Sequence, residues 1–88
     1  LNVQPDLIRL DGWPELQVRW MTSTPAIGWI EHEVSGLGWI SQSPTSPLGT
    51  THRAALRVDT RYRNYTLTLV VQDPASGRKT RQLLPQLW

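Results

Sequence analysis

No cysteine occurs among the 88 residues. That removes disulfides and thiolate metal ligands from the means available to stabilise so short a chain. It leaves an extracellular setting open, because domains without cysteine are also secreted. Phenylalanine is absent too. The large aromatic side chains are five tryptophans and two tyrosines, each an apolar ring carrying one polar group. Charged residues are scarce at 18%, yet 39% of the chain is hydrophobic, a globular proportion rather than a disordered one. No apolar run approaches the ~20 residues of a membrane-spanning helix. No signal-peptide pattern is visible. The chain starts at Leu1 instead of Met, so we expect a processed chain or a piece of a longer polypeptide.

A length of 88 residues suits one small domain, residues 1–88, with little stability in reserve. Charge is uneven along it. Residues 1–50 hold two arginines against five acids; residues 51–88 hold seven basic residues against two acids. A nucleic-acid reading could start from the basic half. Strands that interleave in space would scatter that linear asymmetry, so nucleic acid is a disfavoured partner.

Helix signals are nearly absent. Seven prolines and six glycines punctuate the chain, and short β-branched and aromatic runs lie between them. The pattern predicts seven strands: Asp6 to Asp11, Glu15 to Thr22, Ile27 to Val34, Gly38 to Ser41, Thr51 to Val58, Tyr65 to Gln72 and Arg78 to Leu84. In the second, Leu16, Val18 and Trp20 alternate with polar neighbours and point to a core. In the sixth, Tyr65, Leu67, Leu69 and Val71 do the same. Asp11-Gly12 and Asp73-Pro74-Ala75-Ser76-Gly77 read as turns, and residues 43–50, SPTSPLGT, as a loop. Pro25 reads as the break between the second and third strands. Seven short strands with tight turns predict an all-β, seven-stranded antiparallel immunoglobulin-like sandwich.

The stretch Glu31-His32-Glu33 raises the question of a metal or acid–base site. On a strand, alternate side chains point to opposite faces. Glu31 and Glu33 then share a face with Trp29, while His32 turns away with Ile30 and Val34. One ion cannot collect all three, and the chain offers only one other histidine, His52, so no metal and no cofactor is expected. No Gly-x-Ser-x-Gly elbow, no Gly-rich phosphate loop and no evident carboxylate cleft appear. Asn64-Tyr65-Thr66 has the form of a glycosylation sequon, but it sits where a strand begins. The expectation is a chain without an active site.

Together, LQVRWMTSTPAIGWIEHE, THRAAL and YTLTLVV resemble the fibronectin type III-like domain that precedes the catalytic domain in purple acid phosphatase-like metallophosphoesterases. The carrying positions are Trp20-Met21-Thr22, Pro25-Ala26, Trp29-Ile30-Glu31-His32 and His52-Arg53. The similarity spans residues 6 to 84. It implies a fibronectin type III-like sandwich, an accessory role and no phosphatase chemistry in these residues. It also implies a corner tyrosine, on Tyr65. The segment before it departs from the family's pattern, with Val58 in place of proline and Tyr62 out of phase with the strand, which leaves Tyr62 as the other choice.

The candidate binding residues are Trp29, Trp39, Glu31 and Trp13. Gly28-Trp29-Ile30 and Gly38-Trp39-Ile40 echo one another, and on neighbouring strands the two tryptophans could stand side by side on an outer face. Glu31 shares the Trp29 face, Trp13 sits in a turn, and Trp88 follows Pro85 as a further exposed candidate. The function expected is a non-catalytic accessory or interaction module of a larger extracytoplasmic protein, periplasmic or secreted, docking on a neighbouring domain or a protein partner. Two alternatives stay open: a carbohydrate-binding module using the tryptophans, and a structural module of a phage tail or surface assembly.

Overall fold

The computed structural model describes residues 2–88. The described residues are all-β and antiparallel, with six strands and no helix among them: β1 (Val3–Leu10), β2 (Trp13–Val34), β3 (Trp39–Gln42), β4 (Gly49–Arg57), β5 (Tyr65–Gln72) and β6 (Lys79–Leu83). β2 is the organising element. Its first part pairs with β1 on one side and β4 on the other. Its second part pairs with β3 and β5, and β5 carries β6. The sheet is therefore continuous through β2 and curls into a half-barrel.

The strand count corrects the expectation of seven. Pro25 does not end a strand. Between Met21 and Ala26 the pairing with β4 shifts register, and Pro25 falls inside that irregularity. There its missing N–H costs no ladder bond, which is where proline is tolerated in a sheet. The expected second and third strands are one bent strand of 22 residues.

β1 and β2 are joined by Asp11 and Gly12, with φ of 53° and 80°. Two consecutive positive φ values in a two-residue connection make a type I′ turn, whose twist matches the flanking strands. Alternation then does the expected work. Leu16, Val18 and Trp20 of β2 meet Ile30, farther along the same strand, and Leu67, Leu69 and Tyr65 of β5 in one core cluster. Ala54, Val58 and Leu84 complete it. Fully burying a side chain the size of Leu16 or Leu69 contributes about 1.5–3 kcal/mol.

Segment 43–46 corrects a second expectation, that it is only loop. Ser43 donates its backbone N–H to the Ile30 carbonyl (2.9 Å), and its hydroxyl accepts the Ile30 N–H (2.8 Å). Ser46 treats Gly28 the same way, at 2.7 and 3.0 Å. Each serine precedes a proline, which has no N–H to offer. The Ser-Pro pair repeats every three residues, so two serines cover the edge of β2 that β3 is too short to reach.

Gly28 is held by its neighbours. A Cβ there would stand 2.7 Å from Trp20 Cζ2 and 2.8 Å from the Val70 carbonyl oxygen. Gly28→Ala should therefore destabilise the fold by roughly 1–3 kcal/mol, the range for overpacking a tight site. Chemical denaturation measures this; unchanged stability would mean that the indole does not cross this glycine.

Candidate functional site

The four candidate binding residues do not converge. Trp39 pairs with Val34 and Ile40 with Glu33. Val34 points into the core, so Trp39 lies on the inner side of the sheet edge and Trp29 on the outer face. The side-by-side arrangement is overturned by one step of register, because a shift of one residue exchanges the faces of a strand. The Gly-Trp-Ile echo has two separate causes. Gly28 admits Trp20, whereas Gly38 closes the 35–38 turn.

Trp29 is buried although it faces outward. Its indole N–H donates to Glu31 Oε2 (3.0 Å), and Lys79 Nζ stands 5.6 Å above the ring. Arg81 Nη1 closes on Glu31 Oε1 at 2.7 Å. Val70, its cross-strand partner on the same face, is fully buried. The Trp29 N–H, followed by the Arg81 hydrogen bond and the charges of Arg81 and Lys79, holds the Glu31 carboxyl below its ordinary range against a desolvation cost. Glu31 thus serves as a clamp on Trp29.

Trp39 is 56% exposed, with its ring edge-on to Tyr62 at 5.7 Å. Trp13, at 60% exposed, lies at the end of the first hairpin. Trp88, expected to be exposed, is instead half-buried. It stacks on Tyr65 at 4.0 Å and donates its indole N–H to the Tyr62 carbonyl. The Tyr65 hydroxyl donates to the Trp88 carbonyl and accepts the N–H groups of Leu87 and Trp88, all at 3.0 Å. A corner tyrosine of the immunoglobulin kind bonds backbone a few residues upstream; Tyr65 binds 22–23 residues downstream.

Both histidines are buried. His32 lies edge-on to Tyr65 and Trp88, each at 5.6 Å, and its Nε2 has no hydrogen-bond partner among the described residues. His52 is fully engaged: Nδ1 meets Ser46 Oγ and Nε2 meets Thr22 Oγ1, both at 3.0 Å. One proton arrangement satisfies every group. The Gly28 N–H donates to Ser46 Oγ, whose hydrogen goes to Nδ1; the Nε2–H donates to Thr22 Oγ1, which donates to the Thr24 carbonyl at 2.8 Å. A serine beside a histidine suggests a nucleophile, but Ser46 is 4% exposed and already accepts an amide. Sequence reasoning missed Ser43, Ser46 and Thr22 as partners; the repeated Ser-Pro pair was the available signal.

Among the described residues no group of three or more His, Cys, Asp or Glu gathers where a metal could be held. Among the described residues no helix is long and apolar enough to cross a membrane. Compared with known protein families, curated proteins and solved structures, the chain matches none.

Desolvation lowers the pKa of His32, opposed by Asp59, and that of His52, opposed by the Gly49 carbonyl. Below the ordinary histidine value of 6.5 the unfolded chain binds more protons than the folded one, so stability must fall as pH drops through that value. Asp59, drawn down to about 2 by Arg61, acts in a window at lower pH. We expect the denaturation midpoint to be flat above pH 6.5 and to decline below it, with a shallower decline in His32→Phe. A midpoint equal on both sides of 6.5 would contradict the burial of both rings.

Proposed function

We propose that the chain is a non-catalytic interaction module of a larger extracytoplasmic protein, folded as a fibronectin type III-like sandwich. Counting β2 as two segments about its irregularity gives seven strands. They divide into three (β1, β2, β4) and four (β3, β2, β5, β6), with the core cluster drawn from both groups. Two groups of strands that share one core support the sandwich reading. The resemblance of residues 6 to 84 makes a metallophosphoesterase-type hydrolase a candidate parent.

The observation that carries the interaction role is the edge strand β3. Four strands pair on one side only: β1, β3, β4 and β6. Three carry the residues that discourage pairing with another chain: Pro5 and Asp6 on β1, Arg53 and Arg57 on β4, Lys79 and Arg81 on β6. β3, Trp39-Ile40-Ser41-Gln42, has neither charge nor proline. Trp39 and Ile40 (64% exposed) follow a half-exposed Leu37. An exposed tryptophan beside aliphatic side chains, with open backbone groups along the edge, is suited to an extended apolar segment of a neighbouring domain or protein.

A photo-crosslinking side chain at position 40, introduced in the native source, tests this. The expected result is one defined adduct, intramolecular or to a single protein, that is missing when the same group is placed at position 76 in the last hairpin. The polypeptide detected should also be several-fold heavier than 10.0 kDa. A polypeptide of 10.0 kDa with equal labelling from both positions would overturn the reading.

A further inference from the structure

A second surface lies away from β3, on the other part of the sheet. On the outer face of the β1–β2–β4 part of the sheet, Gln4, Arg19 and Arg53 form one row across three strands, with Arg19 directly opposite Arg53. Like charges placed directly opposite oppose folding, and a chain poor in charge has put two arginines there. Among the described residues the ion pairs are Asp59–Arg61 and Glu31–Arg81, so neither arginine of this row has an acid partner. The nearest acid along the face is Asp6, one row away opposite Gln17; it borders a small cleft of about 100 Å³ with both arginines but pairs with neither.

The row opens on a groove of about 600 Å³. Arg19, Arg53, Gln4 and Thr51 line it with donors, and Met21 and Pro47 with apolar surface. His52 also borders it, but both its ring nitrogens are committed to Ser46 and Thr22, so it adds no charge. Two guanidinium groups on adjacent strands, about 5 Å apart at the backbone, can fork onto one tetrahedral or planar oxyanion. The amide of Gln4 and the hydroxyl of Thr51 supply further donors. The apolar wall gives the rest of a ligand somewhere to lie.

We propose that this groove binds an organic oxyanion, a phosphate or carboxylate group borne on an apolar body, through Arg19 and Arg53. Binding relieves the repulsion that the cross-strand pair builds into the sheet. Asp6 opposes it and limits affinity.

Titration of the chain with phenyl phosphate and, separately, with benzoate, followed by amide NMR shifts, tests the assignment and tells the two anions apart. Either probe should move the amides of Gln4, Arg19, Thr51 and Arg53, and should do so more strongly than inorganic phosphate. Arg19→Gln and Arg53→Gln should each weaken binding tenfold or more, and Asp6→Asn should strengthen it severalfold. Arg57→Gln, on the same face but two rows away opposite Glu15, should leave it unchanged. Both arginine variants lie on an exposed face, and their unaltered spectra elsewhere will show that they fold. No shift at millimolar probe, or an equal loss in Arg57→Gln, overturns the proposal, since the face would then be merely basic.

Discussion

The structure depends on one placement, that of the Trp20 indole. It lies close against Gly28 and stacks on the His52 ring at 5.1 Å and 10°. Trp20 belongs to the first part of β2, Gly28 to the second and His52 to β4, so a single aromatic ring joins the pieces that the bend at 21–26 would otherwise let drift. His52 is fixed in turn by Ser46 and Thr22, and Ser46 binds the Gly28 amide. The chain of contacts closes on itself. Hydrogen-bonded groups that satisfy one another in a buried site specify a unique arrangement, and each becomes costly to remove alone.

Much of the fold was legible because its signals are local. The alternation over Tyr65 to Gln72 coincides with β5, and the inward set Leu16, Val18, Trp20 is what the first part of β2 gives to the core. Asp11-Gly12 and the 73–77 turn lie where their residue types place them. What stayed hidden is non-local. Pro25 reads as a break when only its own backbone is considered; whether the ladder resumes beyond it depends on the strands alongside. The serines at 43 and 46 look like loop residues until β2 presents amides for them to accept. Trp29 and Trp39 look like a pair until the register between β2 and β3 is known.

The candidate site illustrates the same limit. The sequence places Trp29 on an outer face, correctly, but an outer tryptophan can still be covered by what the neighbouring strands carry. Glu31, Lys79 and Arg81 come from two strands far apart in the chain: Lys79 stands over the ring, Glu31 takes its N–H and Arg81 holds Glu31. Trp39 stays more than half exposed because β3 ends the sheet and pairs with β2 alone. Likewise, Arg19 and Arg53 are 34 residues apart in the sequence, and nothing short of the β2–β4 register brings them face to face. Surface character here is a property of strand order more than of composition.

Segment 43–46 and His52 hold the bend together through the amides of Gly28 and Ile30, which donate to the hydroxyls of Ser46 and Ser43. Amide hydrogen exchange of the native chain measures this. Both amides should exchange as slowly as the interior amides of β5 such as Leu67 and Leu69, and Gly28 should lose that protection in Ser46→Ala while Leu67 keeps its own. Exchange of Gly28 and Ile30 at the rate of the exposed 73–77 turn would contradict the account, for the second part of β2 would then have an open edge and the Trp20 ring nothing to anchor it.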